Sequence, residues 1–295
     1  MARYAGTTLN IRCLQKMWRR AMQCDKCRHS AVIFQRYSGL HLCREHFITD
    51  FESKAKRDIR AQGGLPRNSP VAIASSGGYK SCTLLYFLAK LVGKRRGITL
   101  FAVIIDEGIP GRDTSAVRNL ATSLGVRCIS PSTAGGKRIV AGSGTRGLAD
   151  ADCLESPRES ILVQTAIPEG ATRIACGTSL DDEALFVLTV MLKGEACRLL
   201  NRCNPDGRIL QLRPFVHIPA REIALYATIT LGKNVQKGAP SLRDPFSEHV
   251  KKIFDEHRVR HPSAPHSLVS LGERLSGIAG PSALTSPSGD RRKRR

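Results

Sequence analysis

Acidic residues are scarce in this chain of 295 residues: 25 Asp and Glu stand against 46 Lys and Arg, a formal net charge of +21. That imbalance excludes a neutral surface and points to a polyanionic partner, either nucleic acid or an anionic membrane. Aromatics are scarce too, at 5% with one Trp. This counts against a base-stacking platform for single strands and favours recognition of phosphate and shape. No run of 18 apolar residues occurs, so no membrane span and no membrane partner are expected. The first 20 residues lack an unbroken apolar stretch, which argues against a secretory signal. The 10 cysteines are therefore not read as a secreted disulfide scaffold. A cytoplasmic chain is expected, where clustered cysteines more often bind metal.

At 41% apolar content the chain can build the core of one large domain or two modest ones. Its charge is uneven. Residues 1–22 hold five basic side chains and no acid, and residues 290–295 hold five basic side chains and one acid, leaving +12 for the body. Blocks such as Arg291-Arg292-Lys293-Arg294-Arg295 are read either as a solvated tail or as direct contacts to nucleic acid. The Ser-, Gly- and Pro-rich stretch before them reads as a linker.

Residues 24–46 carry the spacing Cys24-x2-Cys27-x15-Cys43-x2-His46. Each short pair makes a tight turn that aims two ligands at one point, and two such pairs fit a tetrahedral zinc ion. A hairpin pattern between them, with Ser38-Gly39 as the turn, would bring the pairs together. Four protein ligands leave no open position for water, so the expected role is structural. The competing reading is four buried or idle thiols and imidazoles. After His46, Phe47, Phe51, Ala55 and Ile59 recur every four residues, one face of a helix. Lys54 and Arg57 lie on its other faces, either as RNA contacts or as a solvated basic surface.

A boundary is expected where Gly63, Gly64, Pro66 and Pro70 cluster. Val71–Ala74 then reads as a strand, followed by Ser75-Ser76-Gly77-Gly78-Tyr79-Lys80-Ser81 and a helical pattern from Leu84 to Val92. Strand, Gly/Ser turn and helix together offer backbone N–H groups and a positive dipole end to phosphate. The turn is not a Walker A loop, because G-x4-G-K-[ST] is not satisfied. Further strands at Thr99–Ile105, Val126–Ile129 and Arg173–Cys176 alternate with helical segments. Alternation of this kind predicts an α/β fold with a doubly wound parallel sheet, whose ligand sits at the carboxyl ends of the strands. Ser75, Ser76, Gly77, Gly78, Ser81, Asp106 and Gly177 would converge there as the nucleotide-binding set. Asp181 and Asp182 open a long helix, where acids serve either chemistry or the helix dipole. Cys82, Cys128, Cys176, Cys197 and Cys203 fall in apolar or helical contexts and read as buried small hydrophobes.

Taken together, these segments resemble the PP-loop family of ATP-dependent tRNA 2-thiouridine synthetases. The resemblance rests on the knuckle from Cys24 to Phe47, on Ser76 to Ser81, on Ile104 to Asp113 (IIDEGIPGRD), on Gly177 with Leu180 to Ala184 (LDDEA), and on Pro214, Pro219 and Glu222. It implies an adenine nucleotide α-hydrolase-like sandwich with an N-terminal zinc knuckle and C-terminal helices. It also implies binding of ATP with magnesium, tRNA as partner, and adenylation of a uridine carbonyl before sulfur replaces oxygen. A sulfur-carrier protein and a homodimer are the further partners considered. Asp181 and Lys80 are the candidate catalytic residues, and Lys251 and Lys252 in the C-terminal helices join Lys54, Arg57 and the basic tail as candidate RNA contacts.

The chain departs from the family pattern at informative places. The family loop reads SGGKDS, and here Tyr79 and Lys80 stand in place of its Lys and Asp. The family holds an iron–sulfur cluster on three cysteines, and their positions here fall at Ala151, Leu154 and within Ala239-Pro240-Ser241, with Cys153 nearby. Those losses count against an iron–sulfur cluster. The expected organisation is a basic extension (1–22), a zinc knuckle and helix (23–62), a PP-loop domain (63–232), a helical tRNA-contacting region (233–275) and a disordered basic tail (276–295). The primary expectation is a divergent tRNA-thiolation enzyme. The alternative is a catalytically inactive paralogue that binds tRNA or regulates a partner.

Overall fold

The structure, a computed structural model, describes residues 23–66, 68–93, 97–105, 114–131, 157–195, 197–200, 209–232 and 244–278. In the first of these segments, strands β1 (Ile33–Gln35) and β2 (Leu40–Leu42) form an antiparallel hairpin with Ile33 opposite Leu42 and Gln35 opposite Leu40. The turn needs Gly39, which sits at φ +72° and donates its N–H to the Gln35 carbonyl. Helix α1 (Arg44–Ala61) follows at once. Its four-residue apolar repeat is buried, Phe47, Phe51 and Ala55 completely and Ile59 nearly so. The chain forms two compact units that divide within α1, after Lys54.

The second unit is built on a five-stranded sheet in the order β5-β4-β3-β6-β7. Its strands are β3 (Val71–Ser75), β4 (Leu100–Ile104), β5 (Arg127–Ile129), β6 (Arg173–Ala175) and β7 (Leu210–Leu212), all paired in parallel. The sequence of β3, VAIAS, has no polar residue until its end, and every position is buried. This is the signature of a central parallel strand covered on both faces. Ala72, Ala74, Phe101 and Val103 pack against Leu162 and Ala166 of helix α4 (Pro157–Ala166). The alternate residues Val71, Ile73, Ala102 and Ile104 are buried as well, so the opposite face is also closed. The expected doubly wound α/β architecture is the one observed.

The remaining helices are α2 (Tyr79–Val92), α3 (Ser115–Ser123), α5 (Leu180–Lys193), α6 (Cys197–Leu200), α7 (Ala220–Leu231), α8 (Pro245–Arg260) and α9 (Ala264–Ile278). Helix α5 ends at Gly194 in the left-handed region, φ +72°, which a glycine C-cap adopts without strain. Where α9 crosses α5, a Cβ on Gly272 would lie 2.7 Å from Val187 Cγ2, so a glycine permits the close crossing.

The strand order positions the site. From β3 the chain steps outward to β4 and β5, then returns to the other side of β3 for β6 and β7. Beyond their carboxyl ends, the connections from β3 and β6 lead to opposite sides and open a crevice, the switch point at which sheets of this kind bind ligands. The β3–α2 loop and the β6–α5 turn border it.

Candidate functional site

In the first unit, Cys24, Cys27, Cys43 and His46 converge: their four ligand atoms all lie within 4.8 Å of one another. Cys24 Sγ is 3.5 Å from His46 Nδ1, Cys27 Sγ is 3.5 Å from Cys43 Sγ, and Cys43 Sγ is 3.4 Å from His46 Nδ1. Ligands about 2.3 Å from a central zinc ion stand roughly 3.7 Å apart, so the donor set fits a tetrahedral metal. The backbone prepares it. Arg28 N–H donates to the Cys24 carbonyl at 3.0 Å and Cys24 N–H to the His29 carbonyl at 2.7 Å, curling the first pair. The second pair sits where β2 runs into α1. Burial opposes ionisation of Cys24, but backbone N–H groups of Cys43, Lys26 and Cys27 and the Cys27 thiol bring its pKa down to about 6. A ready thiolate is what a metal ligand requires.

In the second unit, the β3–α2 loop folds upon itself. Ser76 N–H donates to Ser81 Oγ at 3.4 Å, and Ser81 Oγ–H donates to the Gly78 carbonyl at 2.8 Å. Ser81 is thus a staple within the loop. The hydroxyl of Ser75 turns back to the Ile73 carbonyl at 3.4 Å, its own carbonyl accepts the Ile105 N–H at 3.3 Å, and the residue is buried, so Ser75 closes the end of β3. Gly77 takes φ +84°, which explains a glycine there. Gly78 caps α2 without a side chain, and the first turn of α2 carries no acid. Its N-terminal amides therefore remain a positive end facing the crevice.

Gly177 brings the second wall against the first. A Cβ at this position would lie 3.1 Å from the backbone oxygen of Lys80, so a larger residue would have to push the two backbones apart by a few tenths of an ångström. Just beyond it, Ser179 and Asp182 form a reciprocal capping box at the start of α5. The Lys80 ammonium bonds both, at 3.1 Å to Ser179 Oγ and 2.5 Å to Asp182 Oδ2. Burial works against the Asp182 charge, yet Lys80 and the Ser179 hydrogen bonds outweigh it and hold the carboxyl below its ordinary range. Tyr79 behaves oppositely: burial, with the nearby charges of Asp182 and Asp181, pushes its hydroxyl up to about 12, and it stays protonated.

Asp181, the acid singled out from sequence, is engaged elsewhere. Its Oδ2 accepts the Ala220 N–H at 2.6 Å, at the start of α7, and its Oδ1 accepts from Arg258 Nη1 of α8 at 3.0 Å. The acid that meets the β3–α2 loop is Asp182, which its sequence position marks as a capping acid. The signal was present, because Ser179-x-x-Asp182 is a capping-box spacing, but a cap that also receives a lysine 102 positions away is not visible in a linear pattern.

The other expected residues are dispersed. Asp106 lies outside the described residues, as do Cys153, the positions 151, 154 and 239–241, both basic ends and the segment carrying Cys203. Lys54 is half-buried and bonded to Tyr37 Oη at 2.7 Å and Asp50 Oδ2 at 2.5 Å, whereas Arg57 is exposed. Lys251 pairs with Asp255 at 2.7 Å, and Lys252 is exposed. Cys82 is buried, as expected, and burial pushes its thiol up to about 11, whereas Cys128 and Cys176, also expected to be buried, are partly exposed. No helix among the described residues is long and apolar enough to cross a membrane.

Comparison with known proteins bears directly on this geometry. Residues 23–48 match the family described as "2-thiouridine synthetase TtuA, N-terminal LIM domain". The chain is 31% identical over 287 residues to the cytoplasmic tRNA 2-thiolation protein 1 of Bos taurus, covering 91% of this chain and 82% of that one. It is 29% identical over 291 residues to the tRNA 2-thiolation protein NcsA of Haloferax volcanii, covering 87% and 88%. Among solved structures, the U34-tRNA thiolase NcsA from Methanococcus maripaludis with its [4Fe-4S] cluster superposes at a TM-score of 0.74, with 26% identity and 87% of both chains covered. That structure corrects the expectation drawn from the altered cysteines: a cluster-bearing thiolase shares this fold, so loss of the sequence pattern does not argue a cluster away. Among the described residues the only converging donor set is that of the knuckle. The names of these relatives give no support to an inactive paralogue.

Proposed function

The chain belongs to the tRNA 2-thiolation protein family, and from that premise we propose that it binds ATP in the crevice between the β3–α2 loop and the β6–α5 turn and activates a tRNA uridine for sulfur transfer. The observation that carries this reading is the approach of Gly177 to the Lys80 backbone at the switch point, beside the acid-free N-terminus of α2. The uridine carbonyl oxygen attacks the α-phosphorus, pyrophosphate leaves, and sulfur then displaces AMP from the carbon. The residues seen here serve that sequence by holding phosphate: the α2 amides and Lys80 neutralise the charge of the leaving pyrophosphate. Asp106 completes the nucleotide set in this reading, and Ser75 supports it from the buried end of β3. A sulfur-carrier protein is a further partner, because the thiolation needs a sulfur source.

The knuckle holds zinc in a structural role in this reading. Its support is the compact four-ligand set and the LIM-type match over the same residues. Arg57, Lys251, Lys252 and the basic ends contribute RNA-backbone contacts, supported by the charge of +21. The cytoplasm is the compartment assigned, in line with the Bos taurus relative's name. The test is conversion of ATP to AMP with and without tRNA, followed by nucleoside analysis of that tRNA. AMP formation together with 2-thiouridine is the expected result. Retained tRNA binding with neither product overturns the catalytic reading.

A further inference from the structure

Lys80 reverses the charge that the SGGKDS pattern places on the loop, and the structure shows what the reversed charge meets. The Lys80 ammonium lies 2.5 Å from Asp182 Oδ2 and 3.1 Å from Ser179 Oγ. The same Oδ2 also accepts the Ser179 backbone N–H at 3.0 Å and the Ser179 hydroxyl at 2.7 Å. Three donors converge on one carboxylate oxygen, which leaves that oxygen no lone-pair direction for a metal ion. The lysine is held as firmly as its partner, because the backbone beneath it is pressed against Gly177 and its side chain is only 27% exposed.

An ammonium has three N–H donors. Two are directed at Asp182 and Ser179, and the Tyr79 ring centroid, 6.0 Å away, is beyond hydrogen-bond reach. One donor remains for a phosphate oxygen in the crevice. The first turn of α2 carries no acid of its own, and the nearest acid, Asp182, is paired with Lys80. We propose that Lys80 is the built-in counter-cation of the nucleotide site: positioned by Asp182 and Ser179, it supplies the positive charge for the phosphates that a divalent ion would otherwise carry, so that binding depends little on added metal. The inference rests on the nucleotide reading of the crevice given above. In it Asp182 is a positioning residue, and position 80 sets the metal requirement of binding.

A structural strap between the two walls would show itself in thermal stability and not in the metal dependence of phosphate binding. The experiment is calorimetric titration of the full chain with ATP and with inorganic pyrophosphate, in excess magnesium and in EDTA, alongside thermal melting. Wild-type affinity is expected to differ by less than about threefold between the two buffers. Lys80→Met is expected to weaken binding in EDTA by about tenfold or more, the loss of one charged hydrogen bond. Magnesium should recover most of that loss. Lys80→Asp sets a second carboxylate opposite Asp182 and is expected to bind only with magnesium. Lys80→Arg keeps a cation, should remain metal-independent, and serves where Lys80→Met fails to fold. Wild-type binding that collapses in EDTA overturns the role of Lys80 and leaves the nucleotide reading standing. A folded wild type that binds neither ligand in either buffer overturns both.

Discussion

The knuckle and the phosphate loop solve opposite charge problems. The knuckle gathers three sulfurs and an imidazole within 4.8 Å, a donor set that suits a cation from outside. The loop places Lys80 against Asp182 at 2.5 Å and so brings its own cation. The knuckle draws its ligands from 23 consecutive residues, in two short pairs, whereas the loop's pair spans 102 positions. Local spacing therefore announces the first and conceals the second.

The largest effect expected of any perturbation is metal removal from the knuckle. Structural zinc in such small folds contributes an apparent ~10–16 kcal/mol at neutral pH. Cys43→Ser, or exhaustive chelation, should abolish bound metal and make residues 23–54 protease-sensitive, while ATP affinity of the second unit holds. Elemental analysis with limited proteolysis checks this, and a wild type that is metal-free yet protease-resistant would break the comparison on the knuckle side.

On the loop side, Gly177→Ala should cost about 1–3 kcal/mol through overpacking, because its Cβ meets the Lys80 carbonyl oxygen at 3.1 Å. Backbone offers no flexible end to move aside, so ATP binding should weaken as well. Denaturant unfolding and titration read the two effects. An unchanged ATP affinity would show that the walls need not touch.

Asp181→Ala sharpens the distinction between neighbouring acids. It removes the carboxylate that accepts the Ala220 N–H and the Arg258 guanidinium, a loss of about 1 kcal/mol typical of a helix cap. ATP affinity should stay within about twofold, since neither bond reaches the loop. Weakening as large as that of Asp182→Asn would assign Asp181 to the crevice after all.

The smallest effect concerns another long-range charge pair. His217 Nδ1 lies 3.1 Å from Asp58 Oδ1 and Nε2 lies 3.4 Å from Glu273 Oε1. Hydrogen bonds to Asp58 and then Glu273 raise its pKa from 6.5 to about 9 despite partial burial. A raised folded pKa gives stability that is complete below 6.5 and lost as pH climbs through 9. Because the imidazole is 27% exposed and its partner Glu273 is 53% exposed, solvent screening limits the contribution to about 1 kcal/mol. Melting curves across that window should show the decline in the wild type and a flatter profile in His217→Gln.

Much of the fold was legible because periodicity reports burial. Phe47, Phe51, Ala55 and Ile59 were read as one helical face and are all buried, and Val71–Ala74 was read as a strand and is the centre of the sheet. The convergence of Cys24, Cys27, Cys43 and His46 was legible because two turn-forming pairs in one short segment leave little freedom in where they meet. The acid at the loop was not legible. Asp181 and Asp182 are adjacent and chemically identical, and on a helix neighbouring side chains diverge by about 100°, so one reaches Lys80 while the other reaches Ala220 and Arg258.

By itself the sequence determined the knuckle's donor set, the alternation of strands and helices, and the glycines of the β3–α2 loop, since each is decided by interactions within a few residues. Only the tertiary structure decided what Lys80 of that charge-reversed loop meets. Lys80 finds Asp182 because β3 and β6 lie side by side and Gly177 lets their connections touch, and a contact made by strand order leaves no trace in sequence spacing.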